Sequence, residues 1–439
     1  MDWGNSAKYD FLSIFNQART VPHSGSGDQI VTCLRQLHPG LPAGSPADGR
    51  NQRQIMTPLL TAMSWSPSYW LLEVFTAVWC FVMGSVIGSF LNVVIYRMPL
   101  GLNISKPKSR CPFCETPIRT RDNLPILGWL LLRGKCRDCQ APIPARYPIV
   151  EALVGVVFLL LYLAIVHSGG ALLPYRSPNR FSGGYQILEG RTWDLIALAV
   201  YYCYLFIVVV AAAYIQYDRQ LIPRRLLFWC LGIGLVAGCL IPELHPVPAQ
   251  VSVQSNQSST EIMLSDLRYH GALHVSFELS SVLTVCWGLL YGVIAGILFC
   301  WRNLFQPGEQ PTLFPPRTLW LLVLMGVYLG WQQVVSVGFL SALILCLVQL
   351  LFWKRDSFCA KLPAAAFLCG VLTLQLLLGG YLTILPDQTG YLTYLFVTGG
   401  QIVAIPLLTG LSEAAYRNRE NTNSAQDQIP FDESSTLTS

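Results

Sequence analysis

Charged residues are scarce in this chain. Only 12% of its 439 residues are charged and 53% are hydrophobic, whereas a soluble domain usually contains about 25% charged residues. This shortage excludes an ordinary soluble globular protein. The first 60 or so residues also lack the charged start and apolar core of a signal peptide. No G-x-G-x-x-G motif opens a strand–helix unit, so the sequence has no dinucleotide-binding signature.

The net charge of +5 comes from basic residues that are dispersed between apolar runs. Such dispersal indicates a bias of the loops toward the cytoplasm, because Lys and Arg collect on that side of a membrane. It does not form the clustered basic surface that binds nucleic acid. The composition therefore predicts the lipid bilayer as a partner and excludes nucleic acid.

Long apolar runs occupy much of the sequence, and a hydrocarbon core takes roughly 20 helical residues to cross. The candidate spans are residues 69–96, 149–166, 195–215, 226–241, 279–301, 363–385 and 391–411, with two more in 319–353 if the chain turns near Gly330. The predicted fold class is thus an all-α polytopic membrane protein with about nine transmembrane helices.

The loop between the first two spans is basic. Residues 97–147 contain ten Lys or Arg against three acids, so the loop is expected in the cytoplasm. With nine spans, the C-terminus is cytoplasmic as well.

Four cysteines in this loop form two C-x-x-C pairs separated by 21 residues: Cys111, Cys114, Cys136 and Cys139. Two such pairs can surround one tetrahedral zinc ion with four thiolates. A reducing cytosol suits this chemistry. The sequence therefore predicts a small zinc-ribbon-like insertion, with a redox pair as the alternative.

Composition also suggests domain boundaries. Residues 1–67 are polar and are expected to be disordered or misassigned, and residues 68–166 form an N-terminal region around the cysteine loop. Residues 195–385 are predicted to be a membrane domain and residues 386–412 an additional membrane helix. Residues 413–439 are predicted to be a disordered tail. Two long external loops are expected over residues 168–194 and 242–278.

Several stretches carry a family resemblance. The runs GSVIGSFLNVVIYRMP (Gly84–Pro99), SKPKSRCPFC, NLPILGWLLLRGKCRDC and ARYPIVEALVG (Ala145–Gly155) resemble the amino-terminal half of bacterial prepilin peptidases. The resemblance implies a multi-pass protein of the bacterial inner membrane that cuts the leader from pilin-like precursors on the cytoplasmic side. It also implies methylation of the new amino terminus with S-adenosylmethionine, and partners among pilus or secretion components.

The second half resembles the family less closely, through YIQYDRQLIPRRL (Tyr214–Leu226) and LMGVYLGWQ. In the family, the first catalytic aspartate lies seven residues before the proline of an Ile-Pro or Leu-Pro pair. Counting back from Pro223, the corresponding residue in this chain is Gln216. The family's second catalytic aspartate precedes a Gly-Trp pair, and the corresponding residue in this chain is Thr318. Neither side chain supplies an ionised oxygen that accepts a proton from water. Asp218 is the nearest acid, but two residues along a helix turn a side chain by about 200°.

Several other residues in the first half of the chain have structural interpretations. Gly84 and Gly88 have the spacing that lets a neighbouring helix approach closely. Arg97, at the inner end of the first span, is either a membrane-interface anchor or a substrate-binding residue. Glu151 lies just inside a span, where an unpaired charge is costly, and Arg146 is the expected partner.

Three hypotheses follow. The first is a proteolytically inactive relative of the prepilin peptidases that binds pilin-like substrates or assembly partners. The second is an active leader peptidase that uses Asp218 with another acid. The third is a protein that retains only amino-terminal methyl transfer. No residue in the sequence identifies this activity.

Overall fold

The computed structural model describes residues 67–106, 109–173, 183–184, 187, 193–245, 279–305, 313–352, 362–382 and 391–427. The described residues, which begin at Pro67, belong to one compact unit. Except for Pro67, the predicted polar segment 1–67 lies outside the described residues, and so do most of both external loops.

The described residues are helical with short connections and contain no β-strand, only two isolated β-bridges. The helices are α1 (Pro67–Arg97), α2 (Leu127–Leu131), α3 (Arg146–Leu161), α4 (Trp193–Tyr217), α5 (Arg224–Leu240), α6 (Leu279–Phe299), α7 (Trp301–Phe305), α8 (Leu319–Leu329), α9 (Trp331–Leu351), α10 (Ala364–Leu382) and α11 (Tyr391–Asp427). The all-helical fold class predicted from the sequence is confirmed.

Each of the nine predicted spans coincides with a helix in the described part of the chain. Five helices there are long and apolar enough to cross a membrane: α1, α3 with a π-helical extension to His167, α4, α6 and α9. The predicted turn near Gly330 is present, since this glycine has φ 85° and separates α8 from α9. Helix α8 has 11 residues, and all of those from Leu321 to Leu329 are buried. It is therefore a core helix.

Small residues bring α1 and α3 into close contact. A Cβ atom placed on Gly84 would lie 2.9 Å from the Cα atom of Gly155. One placed on Gly88 would lie 2.8 Å from the Cα atom of Glu151. Because no larger residue fits at these positions, the close-packing function predicted for the glycine pair is confirmed.

A second glycine contact places α8 against α6. A Cβ atom on Gly292 would lie 2.8 Å from the carbonyl oxygen of Leu322, and one on Gly326 would lie 3.0 Å from the Cα atom of Gly292. This close approach holds α8 inside the helix bundle. The residue before α8, Thr318, is consequently fully buried.

The last helix continues beyond the boundary at 412 that the sequence suggests. Helix α11 runs to Asp427, although the sequence predicts a disordered tail over residues 413–439. The extension is anchored by Glu413, whose carboxylate is buried and accepts hydrogen bonds from Leu313 and Arg417. Residues 428–439 lie outside the described residues.

Candidate functional site

The two cysteine pairs adopt the same backbone geometry. In the first pair the amide of Cys111 donates to the Thr116 carbonyl at 3.1 Å, and in the second that of Cys136 donates to the Ala141 carbonyl at 2.8 Å. The residue after each second cysteine, Glu115 or Gln140, has a positive φ. Each C-x-x-C segment thus forms a tight turn that directs both of its sulfur atoms to one side.

The four sulfur atoms converge on one point. All lie within 4.8 Å of one another, with Cys111 to Cys139 at 3.8 Å and Cys114 to Cys136 at 4.0 Å. Thiolates bound tetrahedrally at about 2.3 Å from a zinc ion are separated by about 3.8 Å. The cluster therefore has the dimensions of a metal site with four cysteine ligands, as the sequence predicts.

Neighbouring thiols in this cluster do not ionise equally. Hydrogen bonds from Thr116 lower the pKa of Cys114 to about 6. A hydrogen bond from Ala141 acts to lower the pKa of Cys139, but desolvation and the other three sulfur atoms outweigh it and raise that pKa to about 12. A cation would neutralise the repulsion between the thiolates and allow all four to ionise.

The cysteine loop is attached to the membrane helices through Glu151. This carboxylate is buried and accepts a hydrogen bond of 2.7 Å from the backbone amide of Ile126, at the start of α2. The expected ion pair between Glu151 and Arg146 is wrong, because Glu151 accepts from the Ile126 amide and Arg146 pairs with Asp218. Ile126 has φ 61°, an unfavourable conformation for a β-branched residue, and the bond to Glu151 helps to hold it.

Gln216 and Thr318 meet in the interior of the bundle. Gln216 is the penultimate residue of α4, and Thr318 directly precedes α8. The Gln216 Nε2 atom donates a hydrogen bond of 2.8 Å to the Thr318 Oγ1 atom, and both residues are buried. The Gln216 Oε1 atom is buried and has no partner among the described residues. The two family-aligned positions are thus adjacent in space, and they hold an amide and a hydroxyl.

Asp218 is exposed and binds an arginine side chain. Both of its carboxylate oxygens accept hydrogen bonds from Arg146, at 2.6 and 2.7 Å. The guanidinium of Arg146 also lies 5.2 Å from the centre of the Tyr214 ring. Asp218 thus forms an ion pair that links α3 to the end of α4, and its orientation away from Gln216 stays a prediction.

Arg97 is the last residue of α1 and contacts the loop that follows. Its Nη1 atom donates to the carbonyl oxygens of Asn103 and Ile104, at 3.1 and 3.3 Å. These bonds turn the chain from α1 into the cysteine loop. A role of Arg97 in substrate binding stays a prediction.

Sequence reasoning missed one buried acid, which contacts Leu313 in the segment before Thr318. Glu413 lies fully buried in α11, and its oxygens accept hydrogen bonds from the Leu313 amide at 3.1 Å and from Arg417 Nε at 3.0 Å. The spacing of Glu413 and Arg417, one helical turn apart, is a signal for the ion pair. Nothing local in the sequence indicates the contact with Leu313.

Part of the chain matches a known protein family. Residues 82–165 match the family described as Bacterial Peptidase A24 N-terminal domain. This match confirms the resemblance to the prepilin peptidase family that the sequence runs indicate.

Curated relatives agree with that class. The type 4 prepilin-like proteins leader peptide-processing enzyme of Escherichia coli O78:H11 (strain H10407 / ETEC) is 47% identical over 109 residues, which cover 21% of this chain and 40% of the relative. The prepilin leader peptidase/N-methyltransferase of Myxococcus xanthus (strain DK1622) is 52% identical over 82 residues, covering 19% and 24%. That of Aeromonas hydrophila is 32% identical over 184 residues, covering 36% and 54%.

The chain therefore spans about half or less of the length of these relatives. No solved structure matches it.

Proposed function

We propose that this chain is a prepilin-peptidase-like membrane protein that binds pilin-like precursors, or pilus and secretion partners, without cleaving them. The observation that supports this proposal is the hydrogen bond between Gln216 and Thr318. An aspartic peptidase needs two carboxylates that share a proton, one of which activates water. An amide and a hydroxyl remain neutral at physiological pH, so neither acts as the base.

The environment of Asp218 argues against the alternative of an active peptidase. A substitute base must lie within hydrogen-bond reach of the proton it removes. Asp218 instead has both oxygens engaged by Arg146. No carboxylate among the described residues makes a hydrogen bond with Gln216 or Thr318.

The cysteine loop, in this proposal, is a structural zinc module on the cytoplasmic side of a bacterial inner membrane. Residues 68–166 would carry this module, and residues 195–385 would form the peptidase-like membrane domain. The names of the relatives also include N-methyltransferase. If this chain keeps that activity, S-adenosylmethionine is its cofactor, and no residue here is assigned to it.

Incubation of the purified full chain with a type IV prepilin tests this function. We expect co-elution of the intact precursor by size-exclusion chromatography and no mass change corresponding to leader removal. The Asp218→Ala variant should give the same result, because Asp218 forms an ion pair and is not a base. Leader removal by the unaltered chain that disappears in Asp218→Ala would contradict the proposal. Failure of the precursor to bind would contradict the part of the proposal that names pilin-like precursors as the ligand.

A further inference from the structure

A groove of about 510 Å³ lies next to Thr318, where α5 and α8 begin. Two arginines line it: Arg224, the first residue of α5, and Arg317, which directly precedes Thr318. The groove continues along α5 as far as Leu231. It is therefore charged at the ends of the helices and apolar along α5.

The two arginines have donors available for a ligand. Arg224 is exposed and has no hydrogen-bond or ion-pair partner among the described residues. Arg317 uses its Nη1 atom to donate to the Ile222 carbonyl, at 2.7 Å, and this bond positions the guanidinium. None of the described acids pairs with either arginine, and the start of α5 adds the positive end of a helix dipole. This end of the groove favours an anion.

The rest of the groove favours a hydrocarbon chain. Its walls beyond the arginines include Phe228 and Leu231 on α5, Leu304 on α7 and Trp320 on α8. Arg224 and Leu231 are seven residues apart on one helix, which corresponds to about 10 Å along its axis. These side chains offer no hydrogen bonds to a peptide backbone apart from the Trp320 indole, so an extended peptide would leave its polar groups unsatisfied there.

We infer that this groove binds an anionic phospholipid, with the phosphate between Arg224 and Arg317 and an acyl chain along Phe228 and Leu231. The charged end lies at the ends of α5 and α8. In this inference the phosphate is at the level of the lipid headgroups and the acyl chain extends toward the hydrocarbon core. Basic pockets between transmembrane helices bind anionic headgroups in this way. The inference does not depend on the proposed loss of peptidase activity.

Native mass spectrometry of the delipidated full chain tests the lipid site. We expect phosphatidylglycerol to bind at least several-fold more tightly than phosphatidylcholine with the same acyl chains. Removing both charges in Arg224→Gln/Arg317→Gln should weaken phosphatidylglycerol binding about tenfold or more, as expected for two basic groups at a headgroup. Arg225→Gln is the matched control, because this neighbouring arginine does not line the groove, and it should bind like the unaltered chain.

Two further measurements identify the ligand. Glycerol phosphate should not displace the lipid, because the acyl chain contributes to binding, and Leu231→Trp should weaken binding by filling the apolar part of the groove. If Arg317→Gln does not fold, Arg224→Gln alone should still reduce the preference for phosphatidylglycerol. Equal binding of the two lipids, an equal loss in Arg225→Gln, or displacement of the lipid by a prepilin peptide would overturn the inference.

Discussion

The hydrogen bond between Gln216 and Thr318 is neutral and lies in the interior. A neutral hydrogen bond contributes only about 1 kcal/mol net to stability, but an unpaired buried donor costs about 1–3 kcal/mol. Two carboxylates at the same positions would instead repel unless they shared a proton. The pair in this chain thus links α4 to the start of α8 through a neutral hydrogen bond.

Thr318→Val should reveal this structural role. Valine has nearly the shape of threonine but leaves the Gln216 Nε2 atom without its acceptor. We expect a loss of about 1–3 kcal/mol in stability, measured as a lower thermal unfolding temperature of the detergent-purified chain. Thr318→Ser keeps the hydroxyl and should lose clearly less; equal losses in the two variants would show that the hydrogen bond does not matter.

At the scale of single residues, the sequence predicts the contacts that follow from the spacing of residues along the chain. Counting from Pro223 and Trp331 leads to Gln216 and Thr318, and the structure brings these two residues together. The partner of Glu151 could not be predicted, because it is a backbone amide 25 residues earlier in the chain. Any backbone amide in the loop could have donated to the Glu151 carboxylate. Only the folded loop places the Ile126 amide beside it.

The C-x-x-C element is highly predictable, because its geometry is local. The spacing of four cysteines predicts convergence of their sulfur atoms, and they converge. The positive φ values of Glu115 and Gln140 have no comparable signal, since neither residue is glycine. They follow from the requirement that each turn directs two sulfur atoms to the same point.

The zinc proposal predicts about one equivalent of metal in the purified chain, measured by inductively coupled plasma mass spectrometry. Cys136→Ser should lose most of that zinc, because one of four thiolate ligands is removed. Cys286→Ser is the control, since Cys286 is an exposed cysteine of α6 outside the cluster. Zinc content that is unchanged in Cys136→Ser would contradict the assignment.

Close packing of α1 on α3 predicts an effect of a single methyl group. In Gly84→Ala the new Cβ atom would lie 2.8 Å from the Cβ atom of Phe158, and such overpacking costs about 1–3 kcal/mol. Gly232→Ala places the same methyl group on α5 with no atom within 4 Å. We expect a lower unfolding temperature for the first variant only. A similar loss in both would mean that the effect is not one of packing.

For the whole molecule, apolar runs predict where helices form but not what surrounds them. All nine predicted spans are helices in the described part of the chain, yet five have the length and apolarity of a span. Helix α8 illustrates the reason, because its side chains are buried against other helices. Hydropathy alone does not distinguish a protein interior from lipid.

The proposed orientation can be measured on whole membranes. Ten Lys or Arg in residues 97–147 predict a cytoplasmic loop. Trypsin should therefore cut this loop in inverted membrane vesicles and leave it intact in spheroplasts. Cleavage in spheroplasts alone would reverse the orientation and would place the cysteine cluster outside the reducing cytosol.

The central claim is that no acid chemistry remains where Gln216 meets Thr318, and a prepilin cleavage assay with a mass readout tests it most directly. The account predicts no leader removal by the unaltered chain. Only the double variant Gln216→Asp/Thr318→Asp, which places a carboxylate at each position, can regain cleavage. Leader removal by the unaltered chain at a rate comparable to that of an active prepilin peptidase assayed beside it would contradict the account.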